Sequence, residues 1–291
     1  MLLQADYDRV KALLEVSCDA NATRERTTLL CCACFCGDTA VVRLLLQQPG
    51  IRVNEEMQEG QAREWPPLHF ACFDGHAEIA EMLVAREDID VNRVLSTGEV
   101  GVTALFLAVE RGHLAVVRTL LAHPAVDVNI ARVSDGVTAL IQAVDWGHTA
   151  VTGALLAHAS VNVNVTTTDC GSTPLTVACA SFSTDAAKAL VMVQSLLAHP
   201  DIDINLARAS DGATPLIVAV QEKAAAIVQT LLAHPHIDVN LGTADHGSTA
   251  LLLACEDGCA QIVSRLLAFP GTDVNKPTKG AWAHAHATPL F

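Results

Sequence analysis

Aromatic side chains are scarce in this chain: Phe, Trp and Tyr make up 4% of the 291 residues, although 51% of the residues are apolar. A core of this composition must consist mainly of Ala, Leu and Val, so that many small contacts replace a few large ones. Such small side chains let helices approach one another closely. The composition therefore argues against an ordinary globular domain built around large rings.

The chain also lacks basic clusters and long apolar runs. Eighteen Lys and Arg residues are scattered among 32 Asp and Glu residues, which gives a net charge of −14. Phosphate groups would repel such a surface, so we expect neither a nucleic-acid partner nor an anionic membrane. No apolar stretch approaches the ~18–20 residues that a membrane span needs. The charge favours a protein partner with a basic segment.

The features of an exported protein are missing too. Residues 1–8 are acidic and lack the basic region and long apolar stretch of a signal peptide. We therefore expect a cytoplasmic protein, with the nucleus as the alternative. In either compartment the ten cysteines would be reduced rather than paired as disulfides.

What the chain does contain is a repeat. A threonine anchor recurs 35 residues apart, at Thr103, Thr138 and Thr173. An asparagine recurs at similar intervals and marks the end of each repeat. The anchors are Thr28, Pro66, Thr103, Thr138, Thr173, Thr214, Thr249 and Thr288. The closing asparagines are Asn54, Asn92, Asn129, Asn164, Asn205, Asn240 and Asn275.

Each repeat has the signals of two short helices and a turn. The anchor Thr103 can cap a first helix, and Gly112 can end it in a left-handed conformation. A second apolar helix follows and stops before Pro124, after which a polar turn leads to the next anchor. Neither helix can bury its apolar side alone, so the repeats must stack.

The step from Thr173 to Thr214 is longer, at 41 residues, and lacks the Gly-His corner. It predicts a lengthened second helix, capped by Ser183 or Thr184.

These residues resemble the ankyrin repeat family. The family pattern of Thr-Pro-Leu-His, then Ala, Gly-His, a Leu pair and Val-Asn is visible in PPLHFA (66–71), TPLTVA (173–178) and TPLIVA (214–219). The family period is ~33 residues, whereas here it is mostly 35. The resemblance implies an all-α fold: an ankyrin-type helical solenoid of stacked helix-turn-helix units with β-hairpin-like turns.

The expected organisation is a single array over residues 1–291. Its complete repeats are about 22–54, 60–92, 97–129, 132–164, 167–205, 208–240 and 243–275, with partial repeats at 1–21 and 282–291. Because the array ends in partial repeats rather than polar caps, we expect the chain to be part of a longer protein or the product of a truncated gene model.

The groups of cysteines and histidines in the sequence are predicted to have structural roles rather than to bind a metal. Cys31, Cys32, Cys34 and Cys36 lack paired C-x-x-C spacing, and we expect Cys32 and Cys34 to replace inward-facing residues of a first helix. A metal or redox site on this helix is the alternative. The histidines that recur near each second-helix end belong to successive repeats ~8–10 Å apart, too far to share one ion. This row comprises His123, His158, His199 and His234.

Catalytic motifs are also absent. The frequent aspartates fall in turns, and no P-loop, dinucleotide fingerprint, G-x-S-x-G or H-E-x-x-H occurs. We expect no enzyme activity and no cofactor.

The resemblance places a binding surface on the turn tips and on the inner face of the first helices. We call the pair of residues before each corner glycine the corner rim. Four aromatics gather on this surface in the N-terminal half, whereas its C-terminal half is acidic. The predicted partner-binding residues are Phe35, Trp65, Phe73, Asp74, Glu110, Arg111, Asp145, Trp146, Glu222 and Glu256. The alternative is that these rings pack against neighbouring turns.

The sequence thus predicts a monomeric, non-catalytic scaffold that binds a protein partner on its concave face and turn tips. The alternative is the ankyrin segment of a larger enzyme or channel whose catalytic or pore domain lies outside this chain.

Overall fold

The computed structural model describes residues 23–24, 27–56, 65–95, 101–181 and 185–279. Two compact units divide the chain, Met1–Ser134 and Asp135–Phe291, and each is considered by itself. The predicted partial repeats 1–21 and 282–291 lie outside the described residues. That all 291 residues form one array stays a prediction.

The described part of the first unit contains one short hairpin and three helix pairs. Strands β1 (Thr23–Arg24) and β2 (Thr27–Thr28) pair antiparallel. The helices are α1 (Leu29–Cys36), α2 (Thr39–Leu46), α3 (Pro67–Asp74), α4 (Ala77–Val84), α5 (Ala104–Glu110) and α6 (Leu114–Leu121).

Four further helix pairs make up the described part of the second unit. They are α7 (Ala139–Asp145), α8 (Thr149–Leu156), α9 (Pro174–Ala180), α10 (Ala186–Leu197), α11 (Pro215–Gln221), α12 (Ala225–Leu232), α13 (Ala250–Glu256) and α14 (Ala260–Ala268).

The threonine anchors cap the first helices as the sequence predicts. The Thr103 hydroxyl accepts the backbone N–H of Phe106 at 3.2 Å, and Thr173 accepts that of Thr176 at 3.1 Å. Pro174 occupies the first turn of its helix, where no hydrogen bond is lost.

Within each unit, first helices pack on first helices and second helices on second helices. In the first unit α1, α3 and α5 form one layer and α2, α4 and α6 the other; in the second unit α7, α9, α11 and α13 lie beside α8, α10, α12 and α14. The first-helix layer is deeply buried, and every residue from Ala104 to Val109 is buried. The second helices bury one face, as Val116, Val117 and Leu120 do. The predicted all-α solenoid is confirmed.

Backbone hydrogen bonds link the turns of successive repeats. They join the amide of one turn to a carbonyl of the preceding turn, at 2.8 to 3.0 Å in the second unit. The pairs there are Thr168 with Asp135, Ser210 with Cys170, and Ala244 with Asp211. Within the described turns, sheet-like pairing beyond β1–β2 is limited to a bridge between Gly242 and Thr249.

The closing asparagines form a ladder from repeat to repeat. The Asn205 side-chain amide donates to the carbonyl of His236 at 2.7 Å, and its oxygen accepts the N–H of Asp238 at 2.9 Å. This pair of hydrogen bonds explains why the asparagine recurs, because it joins a repeat to the loop of the next one. The side chains in the ladder are Asn54, Asn92, Asn164, Asn205 and Asn240.

The long repeat has the lengthened helix that its sequence predicts, since α10 spans 12 residues where other second helices span eight or nine. The predicted cap is wrong. Ser183 and Thr184 lie outside the described residues, and the Asp185 carboxylate accepts the N–H of Lys188 at 3.1 Å instead. A carboxylate at this end is also favoured by the helix dipole.

The cysteine-rich helix α1 buries a different face from the expected one. Cys31 and Cys34 are fully buried, whereas Cys32 and Cys36 are exposed. The prediction that Cys32 faces inward is therefore wrong. Residues three apart share a helical face, so Cys31 accompanies Cys34 into the interior.

The Gly-His corner depends on a close approach between repeats. The His113 ring lies against Gly75 of the preceding repeat, where an added Cβ would come within 2.7 Å of the ring. His113 Nε2 also lies 3.1 Å from the carbonyl oxygen of Phe73. Gly75 further supplies a φ of +78°, which suits glycine.

In the repeat anchored at Thr214, lysine replaces the corner glycine, and this yields a stability prediction. Lys223 has a φ of +54°, and it is the non-glycine residue with positive φ in the described chain. A side chain in this conformation costs about 1 kcal/mol or more. We expect Lys223→Gly to raise the free energy of unfolding by about 1 kcal/mol, as measured by urea denaturation.

The converse substitution is a matched control. Gly258 has a similar φ of +65°, and an added Cβ there would meet no atom within 4 Å. Gly258→Lys should therefore destabilise through backbone strain alone, by about 1 kcal/mol. Equal stability of all three proteins would show that the corner conformation carries no strain.

Candidate protein-binding site

An aromatic cluster lies at the corner rim of the first unit and extends from it to the start and interior of helix α3. It consists of Phe35, Trp65, Phe70 and Phe73. The Phe70 ring contacts Phe35 edge-on at a centroid distance of 5.7 Å and Trp65 at 5.5 Å. Trp65 and Phe73 meet edge-on at 5.1 Å. The structure thus brings the three predicted rings of this unit together.

The rings of this cluster are exposed to different degrees. Phe35 at the end of α1 is 60% exposed, Trp65 and Phe73 are half-buried, and Phe70 is buried. Mutual packing fixes the rings while leaving apolar surface accessible. Binding and packing are therefore compatible at this rim.

Charged groups border the aromatic cluster. The exposed Arg111 guanidinium lies over the Phe73 ring, 3.8 Å from its centroid. Asp74 is exposed and Glu110 is half-buried at the neighbouring helix ends. Arg111 thus packs on the aromatic cluster through a cation–π contact.

The corner rim of the second unit is acidic. Asp145 and Glu256 are exposed and Glu222 is half-buried, at the C-terminal ends of three first helices that belong to one packed layer. None of these carboxylates forms an ion pair with a cation in the described residues. The exposed carboxylates give this rim a negative potential.

Trp146 belongs to the same rim and is 55% exposed. It lies 6.5 Å from the His148 ring, measured between centroids, with the planes inclined at 31°. Beside it is a cavity of about 150 Å³ lined by Val144, Asp145, Gly147, Ala178, Ser181, Asp185, Lys188, Ala189 and Met192.

The buried thiols are suited to packing rather than to metal or redox chemistry. Burial raises the pKa of the Cys34, Cys72 and Cys179 thiols, which keeps them protonated at neutral pH. Burial, and then the neighbouring Cys36, also raise the pKa of the exposed-face thiol Cys32. In the part of the chain that the structure describes, no three His, Cys, Asp or Glu side chains are grouped for metal coordination.

The recurring histidines satisfy the backbone at the ends of the second helices. Nδ1 of each accepts the N–H two residues later, at 3.2 Å in His123 and 3.3 Å in His234. The turn aspartates are likewise structural. Hydrogen bonds from Thr167 and Cys170 lower the pKa of Asp169 to about 2.

Two features of the site were not predicted from the sequence. Phe70 joins Phe35 to Trp65, although its spacing reads as an ordinary core position. The cavity beside Trp146 is lined by the end of α7 together with Lys188 and Met192 of the lengthened helix α10. The sequence feature that could have indicated this cavity is the 41-residue step from Thr173 to Thr214.

Among the described helices, none is long and apolar enough to cross a bilayer.

Comparison with known proteins agrees with this architecture. The family model "Ankyrin repeats (3 copies)" matches residues 2–94, 53–132, 90–167, 156–243 and 191–278. The putative ankyrin repeat protein YahD of Escherichia coli (strain K12) is 30% identical over 127 residues, which is 43% of this chain and 59% of YahD. This chain therefore covers less than two thirds of the length of YahD.

A solved structure shares the fold. The crystal structure of the ankyrin repeat protein EF0377 matches with a TM-score of 0.63 and 24% identity, over 73% of this chain and 100% of that one. Ankyrin repeats generally mediate protein–protein interaction, and their fold is typically non-catalytic. Because the family model matches from residue 2 to residue 278 and the helix pairs stack as it requires, this chain belongs to the ankyrin repeat family.

Proposed function

We propose that this protein is a non-catalytic scaffold that binds a protein partner through its corner rim and turn tips. The observation that carries this proposal is the aromatic cluster around Phe35. A chain with 4% aromatic residues concentrates several of them at one rim, and leaves Phe35 60% exposed. Rigid, partly exposed rings of this kind are typical of binding hot spots.

The charges support a partner with a basic segment. The second-unit rim carries Asp145, Glu222 and Glu256, and the chain has a net charge of −14. Such a surface would attract and orient a cationic segment before the contact forms. We further propose that the free protein is monomeric and cytoplasmic.

The decisive test uses one exposed ring. The full chain, immobilised as bait, should capture a partner whose affinity is then measured with purified proteins. Phe35→Ala should weaken this binding by roughly tenfold or more, because a central aromatic contact is lost. Since Phe35 is exposed, the substitution should leave the thermal unfolding temperature close to that of the original protein.

An apolar residue in the layer of second helices provides the control. Val191 in α10 is 45% exposed and lies outside the corner rim. Val191→Ala should leave the affinity unchanged. If Val191→Ala weakened the binding while Phe35→Ala did not, the proposed surface would be the wrong one.

A further inference from the structure

The cavity beside Trp146 has the properties of a pocket for one side chain of a partner. It measures about 150 Å³ and opens at the corner rim of the second unit. A cavity of about this volume accommodates a benzene-sized group. Its wall combines the exposed indole of Trp146, the carboxylate of Asp145 and the apolar surface of Met192.

The charges in the pocket favour a cation. Asp145 has no ion-pair partner among the described residues, whereas Lys188 is held by Asp185 at 3.1 Å. Asp145, Asp185 and Lys188 are the ionisable groups of the lining, and together they leave one negative charge. The stem of Lys188 lies against Gly147, where an added Cβ would be 3.2 Å from its Cδ. In the described residues the lysine is therefore paired with Asp185 and forms no ion pair with Asp145.

An exposed indole next to an unpaired carboxylate is suited to a guanidinium group. A planar guanidinium stacks on an aromatic face and at the same time forms two parallel hydrogen bonds to a carboxylate. An ammonium group is compact and strongly hydrated, so it gains less from the same wall. We propose that this pocket binds an arginine side chain of an extended basic segment, an inference that rests on the proposed protein-binding function.

The rest of the acidic rim sets the spacing of that segment. Neighbouring first helices are roughly 8–10 Å apart, and an extended chain advances about 3.3 Å per residue. Glu222, which directly follows α11, is two first helices from Trp146, and Glu256 at the end of α13 is one first helix further. The segment should carry its arginine about six residues from one basic residue and about nine from a second.

A fluorescent synthetic peptide with one arginine and two lysines at these spacings, separated by Gly and Ser, tests the pocket. Fluorescence polarisation with the full chain should show saturable binding. Replacing the arginine with citrulline, which is isosteric and neutral, should weaken binding roughly tenfold, and replacing it with lysine should weaken it several-fold.

Protein variants locate the effect. Trp146→Ala and Asp145→Asn should each weaken the arginine peptide roughly fivefold while leaving the citrulline peptide nearly unaffected. Val191→Ala should change neither. Asp145→Asn preserves the shape of the side chain, so it remains informative even if Trp146→Ala fails to fold.

Three results would overturn the arginine pocket: no saturable binding at millimolar peptide, equal affinity for the arginine and citrulline peptides, or equal weakening of both peptides by Trp146→Ala. Each is separable from failure of the proposed function, which the Phe35→Ala measurement tests in the first unit. A partner that depends on Phe35 but lacks arginine selectivity would remove this inference and keep the scaffold function.

Discussion

Acidification from pH 7 to pH 4 is expected to remove about 3 kcal/mol of folding free energy through one side chain, His69. This ring is 1% exposed in α3, and its Nε2 lies 3.1 Å from the carbonyl oxygen of Arg93. Nδ1 is buried and meets no hydrogen-bond partner among the residues that the structure describes. Burial lowers the pKa of His69 to about 4 and outweighs the hydrogen bond to Arg93, which favours the charged ring.

The direction of this effect follows from proton uptake by the two states. The unfolded histidine titrates near pH 6.5 and the folded one near pH 4, so the unfolded chain binds the proton first. The stabilisation is complete above pH 6.5, declines by about 2 kcal/mol by pH 5 and is lost near pH 4.

His69→Leu isolates the contribution of the histidine. The equivalent position holds Phe106 in the next repeat and Leu252 in a later one, so an apolar side chain fits the slot. Urea unfolding at pH 7, 5 and 4 should show a shallower pH dependence in the variant, with a difference of about 3 kcal/mol at the lowest pH. Exposed carboxylates titrate in both proteins and cancel. Parallel curves would show that His69 does not remain neutral in the folded protein.

Asn205→Ala is expected to lower the free energy of unfolding by about 2 kcal/mol, since two hydrogen bonds between repeats are lost at about 1 kcal/mol each. The lost bonds join the Asn205 amide to the His236 carbonyl and the Asp238 N–H to its oxygen. Chemical denaturation with circular dichroism measures the change.

Asn275 is the matched control, because it closes a repeat in the same way. Its backbone N–H binds Asp273, but its side-chain amide makes no hydrogen bond within the described residues. Asn275→Ala should therefore change the stability by less than about 0.5 kcal/mol. A similar loss in both variants would mean that the asparagine acts within its own loop rather than between repeats.

Much of this architecture was predictable because its signals are local. Thr103 caps its helix through a neighbour three residues away, and Pro174 begins a helix because its ring fixes φ. The repeat multiplied each such signal, so the register of helices and turns could be read along most of the chain. The cap of α10 was missed because Ser, Thr and Asp are equivalent signals, and three candidates adjoin one another.

For the binding site, the positions of the aromatic residues could be predicted from the sequence, but their exposures could not. That Phe35 and Trp146 lie on the corner rim, and that Trp65 directly precedes an anchor, follows from their places in the repeat. Their exposures do not, since Trp65 is half-buried against Phe70 and Phe73 whereas Phe35 remains mostly accessible. These differences arise between residues far apart in sequence.

By itself, the sequence determined that this protein is a stack of helix pairs, since an apolar face repeated every 35 residues can be buried only against its own neighbours. The tertiary structure decided which cysteines of α1 are buried, that Phe70 joins the exposed rings, and that a pocket opens beside Trp146. Those outcomes depend on which side chains of adjacent repeats are in contact. The spacing of residues within one repeat does not determine these contacts.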